Sequence, residues 1–517
     1  MKQQRKAGII LHPTSLPGPY GIGELGSYAG VFVDYLEKIG ASVWQILPLN
    51  PVGYGNSPYS ARSTFAGNEL LISVEKLIEE GLIPEDALQS MPVWDPGRVD
   101  YQALSEWKMP LLMQAADRFL ETKHQQKSYA AFCRNQQDWL EDYGIFMTIT
   151  EEHQQDSRWY ETWDSALADR DPAALKAYQK SRKQEIERWK VLQYLFSVQW
   201  MAVKEYAGSK GIEIFGDVPI FVSADSADTW TNRELFKTDS RGRFSSQAGV
   251  PPDLFSATGQ LWGMPVYDWK NRKDELFAWW TRRMEHALKL THIVRIDHFR
   301  GFQAYWDVPA GEKTAERGKW IKVPGASLFR HMKKQLGALP IIAEDLGVIT
   351  PEVESLRDSF GLPGMKILQF AFDYLGEGKL NAENPYLPHN CSGNSVAYTG
   401  THDNQTTAGW YASQGEEIRD LVRRYFARSD DDMVWTMIRG IMSSSSDTAI
   451  FPFQDLFCLG DEARMNAPST VGSLNWSWRF PEAYLDDPVP AARFRDMAVL
   501  YGRIPTASDL PEGSEGP

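Results

Sequence analysis

Cysteine is scarce in this chain: three in 517 residues, Cys133, Cys391 and Cys458, far apart and odd in number. No disulfide framework or zinc-ligand spacing follows, and the three read as buried, reduced thiols. No apolar run reaches the length of a membrane span. The run 7–11 is too short for a signal segment, and no small-residue cleavage site follows it. A reducing cytoplasm is the expected location. Positive charge is also short: 54 Lys and Arg stand against 68 Asp and Glu, a formal net charge of −14. That excludes the basic face of a nucleic-acid binder and makes an anionic membrane an unsuitable partner. Phosphate loops, Gly-x-Gly-x-x-Gly after a strand, and His-Glu-x-x-His are all missing, so nucleotide and metal-hydrolytic chemistry lack support. There is no Gly-x-Ser-x-Gly elbow for a serine nucleophile. No metal or organic cofactor is implied.

What remains is a globular composition, 43% hydrophobic and 24% charged. The length suits one large domain with insertions, or two to four ordinary ones. Eight short apolar runs, 8–12, 43–49, 212–217, 293–297, 339–344, 365–370, 395–401 and 448–452, end in Gly, Pro, Asp or His or their neighbours. Unbroken runs of this kind fit strands buried on both faces of a parallel sheet. Helical patterns lie between many of them, at 28–39, 277–290, 328–336 and 351–360, the last opening on Thr350 and Pro351. Strand and helix alternating eight times predict a (β/α)8 barrel, with a doubly wound sheet as the structural rival.

Two excursions interrupt the repeat. Segments 102–152 and 171–210 read as helical and lie between the second and third strands. Residues 221–270 are rich in Gly, Pro, Ser and Asp and read as a long structured loop. The expected organisation is a single catalytic barrel over 1–517, a largely helical insertion at 67–210 and a loop-rich insertion at 221–275. The tail 511–517 is expected to fray.

Three acids end three of the runs: Asp297 in Ile-Val-Arg-Ile-Asp-His, Glu344 in Ile-Ile-Ala-Glu-Asp-Leu-Gly, and Asp403 in Tyr-Thr-Gly-Thr-His-Asp-Asn. On a parallel barrel they converge at the C-terminal mouth. Convergent carboxylates suit glycosyl transfer: one attacks the anomeric carbon, one protonates the leaving oxygen, and the oxocarbenium-like transition state welcomes a further negative charge. Arg295, two residues before Asp297, shares its face of the strand and would keep it ionised. Glu344 has no adjacent cation, and crowding by the other carboxylates would raise its pKa. The 19 Trp and 21 Tyr are weaker signals; such rings cover the C–H face of a pyranose.

The blocks Arg295-Ile-Asp297-His-Phe-Arg-Gly, Ala343-Glu344-Asp-Leu-Gly and Thr401-His402-Asp403-Asn resemble those of the alpha-amylase clan. Further blocks resemble glycoside hydrolase family 77, the amylomaltase or disproportionating-enzyme family: Gly53-Tyr-Gly-Asn-Ser-Pro-Tyr59, Gly216-Asp217-Val-Pro-Ile-Phe-Val, Asn475-Trp-Ser-Trp-Arg and, most discriminating, the run 249–263 ending Gln-Leu-Trp262-Gly. The resemblance implies a 4-alpha-glucanotransferase without a C-terminal β-domain. Its substrates would be maltooligosaccharides, amylose or glycogen-derived glucans, with glucose as an acceptor. It implies Asp297 as nucleophile, Glu344 as general acid then base, and Asp403 as the third acid. Arg295 and His402 would line the same subsite, Tyr59 would stack under the sugar being cleaved, and Trp262 would platform the acceptor. Ser57 and Asp373 are weaker substrate-binding candidates, and Asp217 reads at least as well as a residue that shapes the site. Met264, Asn56 and Ser469 stand where Asn, Asp and Gly are usual, which bears on the acceptor side and on chain-length preference. An alpha-glucan hydrolase with the same residues is the nearest rival; a noncatalytic glucan-binding protein would have lost at least one acid.

Overall fold

The computed structural model describes residues 5–122, 125–240, 242–252 and 256–504; the tail 511–517 and residues 253–255 of the discriminating run lie outside them. Twelve strands occur in the described residues: β1 (Lys6–Ile10), β2 (Val43–Gln45), β3 (Glu213–Pro219), β4 (Ser246–Val250), β5 (Gln260–Pro265), β6 (Ile293–Asp297), β7 (Ala304–Pro309), β8 (Lys319–Lys322), β9 (Ile341–Ala343), β10 (Gly364–Ile367), β11 (Ser395–Tyr398) and β12 (Thr448–Pro452). Eight of them pair in parallel in the order β10-β11-β12-β1-β2-β3-β6-β9. Each of the eight apolar runs supplies one of these strands. The seam between β9 and β10 is bridged by Ala343 N–H donating to the Pro363 carbonyl at 2.9 Å and by the Asp345 carboxylate accepting from Met365 N–H at 2.8 Å. The sheet thus curls into an α/β (β/α)8 barrel. Helices Ser27–Ile39, Lys273–Leu290, Gly325–Leu336 and Pro351–Ser359 fall where the 3.6-residue pattern put them.

The long stretch between β2 and β3 carries helices Tyr101–Glu121, Gln126–Asn135, Leu140–Glu152, Pro172–Ser181 and Lys183–Ser209. The described residues of 221–270 include regular structure within the loop-rich insertion. They supply β4 and β5, which join β7 and β8 in a four-stranded antiparallel sheet of order β5-β4-β7-β8. Residues 304–322, after β6, therefore form an addition to the barrel that apolar patterning did not reveal. Two glycines of the 249–263 run are explained by close approach: a Cβ on Gly249 would stand 2.2 Å from the Gln260 carbonyl oxygen, and one on Gly259 would stand 2.4 Å from that of Val250. Among the described residues no helix is long and apolar enough to cross a membrane.

Lys108, on helix Tyr101–Glu121, is fully buried; it pairs with Glu24 and donates to the Leu70 carbonyl at 2.8 Å. Burial pulls the Lys108 pKa down and that of Glu24 up, each partly opposed by the other's charge. Removing one partner would strand the other without compensation. Lys108→Ala is therefore expected to cost about 3–5 kcal/mol, read as a lowered thermal midpoint. Lys108→Met with Glu24→Gln is expected to recover most of it; equal losses in the two variants would show that packing, not charge, matters there.

Candidate active site

The site is built on a register. β3 and β6 align so that Asp217 lies opposite Arg295 and Pro219 opposite Asp297. Arg295 and Asp297 are two residues apart and share a face, so one guanidinium spans two carboxylates: Arg295 Nη1 to Asp217 Oδ2 at 2.5 Å and Nη2 to Asp297 Oδ1 at 2.7 Å. The Arg295 side chain is 5% exposed, that of Asp217 0% and that of Asp297 31%. Only Asp297 of the three is presented to the mouth. Burial alone would lower the Arg295 pKa; Asp217, then Asp297, raise it well above the usual value. Asp217, pushed up to about 6 by burial against the pull of Arg295, shapes the site from inside. It also accepts from the Tyr59 hydroxyl at 2.7 Å.

Glu344 follows β9, the strand paired with β6, and its carboxylate reaches the backbone of His298, next to Asp297. The expectation that crowding carboxylates raise its pKa holds for Asp297, but burial is the larger cause and the expectation of no cation near it needs correction. Its pKa rises to about 7 chiefly by burial; Asp297 adds to the rise, while Arg295, whose charge does reach it, and the backbone N–H groups oppose it. Those N–H groups come from Leu346, at 2.9 Å to Oε1, and His298, at 2.6 Å to Oε2. His298 adopts φ 54°, the left-handed turn that aims its N–H at Glu344.

Asp403 sits beyond β11. Desolvation in the cleft works against its ionisation, but the His402 ring and the Asn466 amide outweigh it and hold the carboxyl well below the usual range. Asn466 Nδ2 donates to Asp403 Oδ1 at 2.6 Å, His402 Nε2 lies 3.3 Å from Oδ2, and Arg464 grips the Asp403 carbonyl at 2.8 Å. His402 Nε2 also meets the Tyr59 hydroxyl at 2.8 Å. The Tyr59 ring lies parallel to His402, 5.4 Å between centroids, and 5.7 Å from Trp476. Tyr59 is thus fixed by side chains of its own cluster.

The fold therefore brings Asp297, Glu344, Asp403, Arg295, His402 and Tyr59 together. Trp262, on β5, joins them: its ring meets His298, the neighbour of Asp297, edge-on at 4.8 Å. Ser57 lies beside them as a turn former, its hydroxyl accepting from Tyr59 N–H at 3.2 Å. Asp373 stands apart, bonded within its own loop to Asn384 at 2.8 Å and Asn381 at 3.5 Å. Asn466, Arg464 and Trp476 were not singled out from sequence. Only the Asn475-Trp-Ser-Trp-Arg block hinted at one of them. Ser469 takes φ 62° and Asn56 φ 57°, which accounts for the usual glycine at the first position and is tolerated by Asn at the second.

A buried arginine holding one partly exposed carboxylate, a protonatable glutamic acid on the next strand and an ionised third acid, all at the C-terminal mouth of a (β/α)8 barrel, define an enzyme laid out for carboxylate-based glycosyl transfer. The sequence matches the pattern of glycoside hydrolase family 77, described as 4-alpha-glucanotransferase, over residues 11–485, and the chain belongs to that family. It is 48% identical to a 4-alpha-glucanotransferase of Synechocystis sp., covering 97% of this chain and 99% of that one. It is 46% identical to that of Thermus thermophilus, covering 98% and 100%. Its fold matches a Streptococcus agalactiae amylomaltase in complex with acarbose with a TM-score of 0.93 at 39% identity, covering 97% and 100%.

Asp217→Asn would keep an acceptor for Tyr59 but remove one of the two charges that fix Arg295. A guanidinium free to tilt displaces Asp297, and a shift of that kind is expected to lower kcat on the order of 100-fold with KM little changed. An unchanged kcat would show that Asp297 alone positions Arg295.

Proposed function

We propose that the 4-alpha-glucanotransferase reaction of this family runs here by double displacement, with Asp297 as nucleophile and Glu344 as general acid and then base. The observation that carries the assignment is the different setting of two carboxyls on neighbouring strands. Asp297 is ion-paired to Arg295 at 2.7 Å, whereas burial holds Glu344 near the point of protonation at neutral pH. An ion-paired carboxylate beside a carboxyl that can keep its proton is what nucleophile and acid require. Asp297 Oδ bonds the anomeric carbon as the Glu344 proton passes to the departing glycosidic oxygen, and the shortened glucan leaves. The 4-hydroxyl of an acceptor then gives its proton to Glu344 as its oxygen displaces Asp297, restoring the alpha configuration. Asp403, held ionised by His402 and Asn466, stabilises the positive charge that develops on the sugar.

The donor is a maltooligosaccharide, amylose or a glycogen-derived glucan, and the acceptor is glucose or another glucan. The acarbose complex of the S. agalactiae amylomaltase supports an oligosaccharide in this cleft. Arg295 and His402 border the sugar being cleaved, with Tyr59 beside it; Ser57 and Asp373 serve further out. Residues 221–275, which include Trp262, cover the acceptor side and exclude water, which favours transfer over hydrolysis; residues 67–210 form the helical subdomain beside the barrel. Three free cysteines among the described residues support a reducing, cytoplasmic setting.

Purified protein incubated with maltotriose alone is expected to give glucose and a ladder of longer maltooligosaccharides by chromatography. Glucose and maltose with nothing longer would make it a hydrolase. Asp297→Asn is expected to abolish the ladder without disturbing the fold; surviving activity would remove Asp297 from its role. For pH, kcat/KM is expected to fall as pH rises through about 7, where Glu344 loses the proton it must donate. A profile flat to pH 9 would be incompatible with Glu344 as the acid.

A further inference from the structure

A second cleft opens where four separate segments meet: the loop after β2, residues 135–143 of the helical region, the segment after β3 and helix Lys273–Leu290. None of the residues lining it belongs to the catalytic cluster. Its wall holds Trp139, half-buried, stacked on Phe65 at 6.3 Å and 19° and meeting the edge of His286 at 6.0 Å. The indole N–H donates to Gln136 Oε1 at 2.8 Å, so the ring is tied in place. In the same wall His286 Nε2 is buried without a hydrogen-bond partner, and burial keeps that imidazole neutral, with a pKa near 4. A buried polar atom without a partner calls for a ligand group or an ordered water.

The chemistry of the lining narrows the ligand. Carboxylates (Asp138, Asp142, Asp228, Glu285) outnumber cations (Arg282, Lys289) on the wall. Asp142 is already paired with Arg170 at 2.7 Å, and Glu285 with Lys289 at 3.1 Å. An anion would meet net repulsion there. The amides of Asn135 and Gln136 and the amide oxygen of Asn232, whose Nδ2 already donates to the Asp228 carbonyl, suit hydroxyl groups better than a purely apolar ligand. An immobilised indole face beside amides and carboxylates is a surface for a pyranose, whose C–H face packs on a ring while its hydroxyls bond at the rim. We propose that this cleft is an accessory binding site for a neutral oligosaccharide, a stretch of the alpha-1,4-glucan on which the enzyme acts. The inference rests on the glucanotransferase reading above. A polymer held at a second point raises the effective concentration of its other segments at the catalytic mouth.

The test uses the full chain carrying Asp297→Asn, so that glucan is not consumed, titrated with maltoheptaose by calorimetry. Two sites per chain are expected, falling to one when Trp139→Ala is added. Crystals of Asp297→Asn soaked with maltoheptaose are expected to show sugar against Trp139, a result independent of whether the Trp139 variant folds. A single site confined to the acids, or a stoichiometry that Trp139→Ala leaves unchanged together with an empty cleft in the soaked crystal, would overturn the accessory site alone. No binding of maltoheptaose anywhere would bring down the glucanotransferase reading with it.

Discussion

One guanidinium organises the mouth of this barrel. Arg295 lies between Asp217 and Asp297, and its place is set by strand register rather than by a flexible side chain finding partners. β3 and β6 align Asp217 with Arg295, and the two-residue period of a strand puts Asp297 on the same face. A slip of β6 by one residue would turn Arg295 and Asp297 to the face opposite Asp217 and dissolve the site. The apolar packing of Phe215, Val294 and Ile296, fully buried in the two strands, is therefore part of the catalytic geometry. A buried charge of this kind is costly unless paired and hydrogen-bonded. Asp217, inaccessible and also bonded to Tyr59, is what lets Arg295 stay charged where Asp297 needs it.

The same arrangement separates the three acids electrically. They share one mouth, yet each is held differently: Asp297 by the guanidinium, Asp403 by His402 and Asn466, and Glu344 by backbone N–H groups. Burial dominates at Glu344 and is outweighed at Asp403. Between Glu344 and Asp403 a proton has its preferred seat on Glu344, the kind of separation that acid–base chemistry uses. The left-handed turn at His298 belongs to the same device, since it directs a backbone donor at Glu344 immediately beside Asp297.

How much of this was legible in the chain depended on whether the interaction was local. The eight barrel strands were readable because each is a continuous apolar run, the signature of a strand covered on both faces. Asp297, Glu344 and Asp403 were readable because they close or follow such runs. The antiparallel sheet was not. β4 reads Ser-Gln-Ala-Gly-Val, with no alternation, and it pairs with β7 across the whole intervening helix and barrel strand β6, so no short window contains the signal. Asn466 escaped for the same reason: it serves Asp403 from 63 residues away in the chain, and an isolated Asn before Ala-Pro carries no mark of that duty. The cause of the Glu344 shift was misjudged because proximity of charge can be guessed from sequence, whereas depth of burial cannot.

The sheet that sequence patterning missed bears on how transfer prevails over hydrolysis. Water is always present at a glycosyl-enzyme, so an acceptor sugar succeeds only where it is positioned and water is displaced. Trp262 lies on β5, an edge strand of that sheet, and touches His298 next to Asp297. An aromatic side chain on a hydrogen-bonded strand is held more closely than one on a free loop. The glycines at 249 and 259 allow β4 and β5 to approach as tightly as they do. The described residues of the 249–263 run thus include parts of β4 and β5 and fix the Trp262 ring next to His298. A ring held in this way is a fixed surface beside Asp297, of the kind that displaces water where a sugar hydroxyl must be positioned.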